Sequence, residues 1–150
     1  MAFYGLQTDF MNVLLRQYFG LETPKFEKKD IFVGLGLQQE GSNVNIESFD
    51  EVFAGRPLAG YERARAVFGT PEQGTIFNVS DVVFPSAVEA WAVTKPVTMI
   101  GLFDTPAYED EQSNPIKPLI VLALPQPVTV GKGEVVMLAK GVLRLNLSDL

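Results

Sequence analysis

The chain has 150 residues, of which 47% are hydrophobic and 20% charged, and its net charge is −6. It contains no cysteine and no histidine, which excludes thiol nucleophiles, imidazole bases, Ser-His and Cys-His pairs and the usual zinc ligands. The acidic balance argues against a dedicated nucleic-acid binder, since phosphate neutralisation needs a basic surface; the densest basic cluster, Lys25, Lys28 and Lys29, is interrupted by Glu27 and Asp30.

The length fits one domain, residues 1–150, with enough chain to bury a core without disulfides or metal. The opening Met1-Ala2-Phe3-Tyr4-Gly5 lacks the basic and apolar regions of a signal peptide. The longest apolar stretch, Leu119 to Val130, is too short to span a membrane and carries Pro125 and Pro127. The expectation is a soluble protein made in a cytoplasm, with neither membrane nor nucleic acid as partner.

In chain order, the first element is a short amphipathic helix, roughly residues 8–19. Thr8 and Asp9 offer N-cap side chains, Leu6, Phe10, Val13, Leu14 and Tyr18 share a face, and Gly20 supplies the stop. The default use of that face is packing on the sheet of its own domain; the functional alternative is a neighbouring subunit. A polar connector covers residues 21–30. Ile31 to Leu37 reads as a strand whose second face, Phe32, Gly34 and Gly36, is thin and suits close approach of another backbone. A phosphate-binding role for the two glycines fails, because no helix start with a Lys or further Gly follows.

Residues 38–60 are long, polar and irregular, the kind of loop that tends to be functional. This loop and the helix are the candidate contact surfaces, with Phe10, Leu14, Tyr18, Phe49 and Phe53 as the candidate partner contacts. From residue 61 onward the pattern is β: 61–68, 75–79, 81–84, 97–103, 119–124 bounded by Pro118 and Pro125, then 128–130, 135–138 and 142–147. In the last, Leu143, Leu145 and Leu147 alternate with Val142, Arg144 and Asn146. The fold expected is mostly β, an antiparallel β-sandwich or jelly-roll-like barrel with one N-terminal amphipathic helix.

Little in the chain suggests chemistry. Asp104, Glu109, Asp110 and Glu111 form an acidic loop without EF-hand spacing, which reads as solvated rather than calcium-binding. Trp91 reads as a core plug, with a sugar-stacking platform as the alternative. The formal glycosylation sequons at Asn78 and Asn146 carry no weight without a secretory signal. No catalytic residue, metal ligand or cofactor is expected.

The motifs from Gly60 onward, taken in order, resemble a family of small bacteriophage virion proteins, described as tail-fibre or minor structural proteins. Gly60-Tyr61-Glu62-Arg63 with Val67-Phe68 is similar to one element of that family, and Ser80-Asp81-Val82-Val83-Phe84-Pro85 followed by Trp91 to a second. Val97 to Phe103-Asp104 resembles a third, and Val128 through Gly131-Lys132-Gly133-Glu134 to Gly141-Val142-Leu143-Arg144-Leu145 a fourth. The opening helix followed by Ile31 to Leu37 resembles the family's first two elements, so the likeness covers most of the chain. Departures are the longer loop at 38–60, the acidic insertion at 104–118, and Glu134 where Asp is common.

The resemblance implies a non-enzymatic virion structural protein with no active site. Gly60, Gly131, Gly133 and Gly141 are read as turn residues, and Tyr61, Arg63, Phe84, Pro85, Trp91 and Asp104 as motif positions. Its implied partners are the major capsid protein or tail proteins and further copies of itself, so that a homo-oligomer in the virion is expected. A capsid cement or decoration protein is the favoured role. The alternative is a tail-fibre, tail or baseplate component, including an adhesin for host-surface glycans. A carboxylate-based cell-wall hydrolase is disfavoured by the residue inventory.

Overall fold

The structure is a computed structural model, which describes residues 3–21, 30–37, 46, 48–52, 60–91 and 95–146. It is mostly β and antiparallel, sandwich-like, with one N-terminal helix. Its elements are β1 (Phe3–Leu6), α1 (Thr8–Tyr18), β2 (Ile31–Leu37), β3 (Ala64–Ala66), β4 (Thr75–Phe77), β5 (Val82–Val83), β6 (Val97–Phe103), β7 (Ile120–Val128), β8 (Met137–Leu138) and β9 (Arg144–Asn146). A five-stranded sheet has the order β1-β7-β6-β2-β3, and two-stranded sheets pair β4 with β9 and β5 with β8.

The central strands form where the sequence is most apolar. β6 is bounded by Pro96 and Asp104 and buries six of its seven residues, as a strand covered on both faces must. On one face Val33, Leu35, Ile100, Leu102 and Leu122 meet Tyr61, Val82, Phe84, Trp91, Leu138 and Leu143 in the main core. That core lies between the large sheet and the short sheets. Segment 84–91 lines up beside 130–136 through Phe84 N–H to Val136 O, Ala87 N–H to Glu134 O and Trp91 N–H to Val130 O. The opposite face carries a smaller core of Ile46, Phe49, Met99, Phe103 and Val121, flanked by Phe32 and Ile116.

Several expectations change. The stretch 61–68 is a strand only over Ala64–Ala66, paired with β2, and beyond it Phe68 forms an isolated bridge with Asn78. The strand predicted to stop at Pro125 runs to Val128. Between the pairs Met99–Ala123 and Val97–Val128 the register shifts, so Pro125 and Pro127 sit in a bulge that needs no ladder donor from them. The alternation of the last strand holds from Val142 to Leu145, with Leu143 fully buried, Leu145 half-buried and Val142 and Arg144 exposed, but Asn146 is half-buried rather than outward, and the strand itself is Arg144–Asn146.

The long polar stretch is not simply a contact arm. Residues 50–52 return along β2, with Leu37 N–H donating to Asp50 O and Val52 N–H to Leu35 O. Phe49 and Val52 are core residues, 7% and 1% exposed, so Phe49 is no partner contact. The phenyl ring gains more from filling the thin face of β2 than from water. Phe53 lies outside the described residues. The thin face of Gly34 and Gly36 receives side chains rather than a backbone: a β-carbon at Gly34 would come within 2.6 Å of Glu51 Oε2, and one at Gly36 within 2.5 Å of Phe49 Cε2.

The helix begins at Thr8, but neither Thr8 nor Asp9 caps it. The cap residue is Gln7, without a side-chain cap bond, because the chain leaves β1 directly and Gln7 N–H is taken by Leu119 O. The C-terminus follows expectation. Gly20 adopts φ +73, Gly20 N–H donates to Gln17 O and Leu21 N–H to Arg16 O, a Schellman stop.

Candidate functional site

Two features stand out: the uncovered face of α1 and a buried polar clasp at Arg63. The expectation that α1 packs its apolar face on the sheet is overturned, since no residue of the helix is buried. Phe10 and Gln17 are half-buried and mark the side nearest the body. At about 100° per residue Leu14 follows Phe10 on the near flank, Tyr18 and Met11 lie on the side of the helix and Leu15 towards its far side, and they are 47%, 83%, 38% and 48% exposed. Phe19, packed edge-on against Tyr18, and Leu21 extend this surface. The physical reason is where the helix is tied: β1 pairs with the outer edge of β7, and Gln7 anchors to Leu119. The helix therefore starts at the sheet's edge rather than over its face. Of the candidate contacts, Leu14 and Tyr18 are on the surface, Phe10 partly so, and Phe49 is in the core.

The clasp is built from separate parts of the chain. Arg63 Nε and Nη2 donate to both oxygens of Glu51 at 2.8 to 3.2 Å. Its Nη1 donates to Thr105 O and Ala107 O. The guanidinium lies 3.5 Å over the Phe103 ring centroid and 5.2 Å over that of Tyr108, a cation–π arrangement. Tyr61 Oη donates to Glu51 Oε2 at 2.7 Å and accepts from Leu35 N–H at 3.0 Å. Tyr108 Oη donates to Tyr61 O. The acidic insertion at 104–118 is thereby tied to the sheet and to the 49–52 segment.

Burial raises the Tyr61 phenol well above its ordinary pKa, and the negative charge and hydrogen bond of Glu51 push it further. Tyr108 is pushed up to about 12, first by burial and then by Glu51, with Arg63 opposing. Both phenols thus stay protonated at neutral pH. A concavity of about 370 Å³ lies between Gly60, Tyr61, Glu62, Arg63, Pro106 and Tyr108. The Arg63 donors that face it are committed to Glu51 and two carbonyls, so the arrangement holds loops together rather than activating a bound group.

The remaining motif positions are structural. Trp91 is fully buried, 5.3 Å from the Tyr61 ring in a T-shaped pair, which removes it as a sugar platform. Phe84 is buried and Pro85 half-buried, while Asp104 is exposed. Gly60, Gly133 and Gly141 have positive φ, and at Gly131 the turn closes through Glu134 N–H to Gly131 O. Asn78 is fully buried, its amide bonded to Ser80 O, Ala139 O and Leu143 N–H, so it offers no acceptor to a glycan. Asp110 is turned inward on its own loop, accepting from Gln112 and Asn114 N–H. Among the described residues no three acidic side chains gather as a metal site, and no helix is long and apolar enough to cross a membrane.

Sequence reading missed Glu51, Tyr108 and the Phe103 ring as members of the clasp. The available signal was phase: Arg63 shares a face with Tyr61, an inward position that an arginine occupies only with an anionic partner. No protein-family model matches the chain, and no curated protein gives a significant match.

Proposed function

We propose that the chain is a non-enzymatic structural protein of a bacteriophage particle, a capsid cement or decoration protein located in the virion. It acts by burying apolar surface against other virion proteins, the major capsid protein first among them, and against copies of itself. One observation carries the reading: α1 holds an apolar surface out to solvent from the edge of a β body. A contiguous exposed surface of this kind marks a contact site. The ordered resemblance to small virion proteins, running from the opening helix to the closing strand, supplies the particle. The clasp supports a scaffold role, since its charged groups are tied to one another and to backbone carbonyls.

The test is quantitative mass spectrometry of particles purified from lysates in which the chain is expressed from its native locus. The expected result is one copy per one to several capsid subunits. Absence from the particle would overturn the proposal. A few copies per particle would move the protein from the shell to the tail fibre, tail or baseplate.

A further inference from the structure

We infer that the 49–52 segment and the 104–118 loop form a single lid over β2 and β6, which opens and closes as one unit while the five-stranded sheet stays paired. The lid is a conformational device of the isolated chain and goes beyond the reading above.

Each half has a short hold on the sheet. The 49–52 segment lies outside the strands and follows β2 through Leu37 N–H to Asp50 O and Val52 N–H to Leu35 O. The 104–118 loop is tied mainly to itself. Asp110 N–H donates to Asn114 O and Ile116 N–H to Tyr108 O, while the Asp110 carboxylate accepts from Gln112 and Asn114 N–H. The loop leaves the sheet at Phe103 and returns at Leu119, whose N–H donates to Leu102 O.

Three joints fasten the halves to each other. The first is ionic: Arg63 donates from Nε and Nη2 to Glu51 in one half, and from Nη1 to Thr105 O and Ala107 O in the other. The second runs through Tyr61, whose Oη donates to Glu51 and whose backbone oxygen accepts from Tyr108 Oη. The third is apolar. Ile116 packs on the cluster that contains Phe49 and Phe103. A β-carbon at Gly101 would lie 2.8 Å from Phe49 and 3.1 Å from Pro118, so both halves sit on the same bare spot of β6.

These joints penalise the half-open states. If the loop left alone, Arg63 would lose two carbonyls in a site where its side chain is 1% exposed. If the 49–52 segment left alone, the guanidinium would stay under Tyr108 without its carboxylate. A buried donor or charge stripped of its partner costs more than the bond contributed. Opening both halves together instead lets water reach the guanidinium, the carboxylate and the carbonyls at once. Joint opening is therefore the low-energy route, and the lid is a cooperative unit of the kind seen in local unfolding.

Native-state hydrogen exchange of the full chain tests this. The amides of Leu37 and Val52 report one half and that of Ile116 the other, while Ile100 and Leu102 report the central strand β6. Leu37, Val52 and Ile116 should share one protection factor to within about threefold, lying about tenfold or more below that of Ile100 and Leu102. Asp110→Ala, which acts inside the loop, should lower protection at Ile116, Leu37 and Val52 by the same factor, about tenfold. Phe49→Leu, in the other half, should lower protection at the Asp110 and Ile116 amides as much as at Val52. Protection at Leu37 and Val52 unchanged by Asp110→Ala would mean that the halves open separately. Shared protection as high as that of β6 would mean that nothing opens short of global unfolding. Either result would overturn the inference, and neither bears on the copy number in particles.

Discussion

Arg63 and Glu51 form a bidentate ion pair inside the protein, 2.8 Å at its closest contact, with side chains 1% and 5% exposed. The two residues come from segments that the large sheet alone would leave apart, and the guanidinium is sandwiched against Phe103 while it holds Thr105 and Ala107. Removing one member leaves the other charged, buried and unpaired. Glu51→Ala and Arg63→Ala should therefore each cost about 3 to 5 kcal/mol, read as the drop in unfolding free energy from urea titration. A loss below about 1 kcal/mol would be that of a surface bridge and would contradict the burial described.

The clasp also fixes how stability responds to alkali. The phenols of Tyr61 and Tyr108 have folded pKa values above the ordinary 10.0, about 12 in the case of Tyr108. Raised pKa values mean that the folded state keeps protons the unfolded state has released, so their contribution is whole below pH 10 and is lost as pH rises through the folded values. The melting temperature should fall above pH 10, and less steeply in Tyr108→Phe than in the native chain. The phenolate absorbance assigned to Tyr108, taken as the difference between the two proteins, should rise near pH 12 rather than near 10.

Gly34 and Gly101 face each other across β2 and β6 and form the floor on which Glu51, Phe49 and Phe103 rest. A β-carbon at Gly101 would lie 2.8 Å from Phe49 and 2.9 Å from Phe103; one at Gly34 would lie 2.6 Å from Glu51 Oε2. Gly34→Ala and Gly101→Ala should each destabilise by about 1 to 3 kcal/mol through overpacking. Gly69→Ala should cost less, because its new methyl meets the exposed Val79 side chain, which can move. Chemical denaturation of the three variants checks the order.

These relationships mark how far the sequence could be read. β6 was legible because Val97 to Phe103 is a strongly apolar run, with Thr98 its one polar residue, between Pro96 and Asp104. The stop of α1 was legible because only Gly20 suits the positive φ there. Glu51 was not legible: it stands in a polar stretch, and its burial depends on Arg63 and Tyr61 arriving from beyond the loop. Nor was the outward turn of α1 legible, since periodicity shows that a helix has an apolar face but not what that face meets. The run of β7 through Pro125 and Pro127 depended on a register shift against β6, a property of the pair and not of either strand.

Trp91 is the protein's single tryptophan and is fully buried. Its fluorescence should be blue-shifted and resistant to iodide quenching in the native state, and unchanged by added oligosaccharides. Trp91→Ala should cost about 3 to 5 kcal/mol, measured by denaturation followed by circular dichroism. Sugar-dependent quenching would restore the stacking platform that the buried position argues against.

The central claim, that this chain is a fixed component of a phage particle, is tested most directly by an electron cryomicroscopy map of intact particles purified from cells expressing it. Repeated density on the outer shell should fit the five-stranded sheet with its two small sheets, with α1 buried against protein rather than facing solvent. A fully interpreted particle without such density in shell or tail would contradict it.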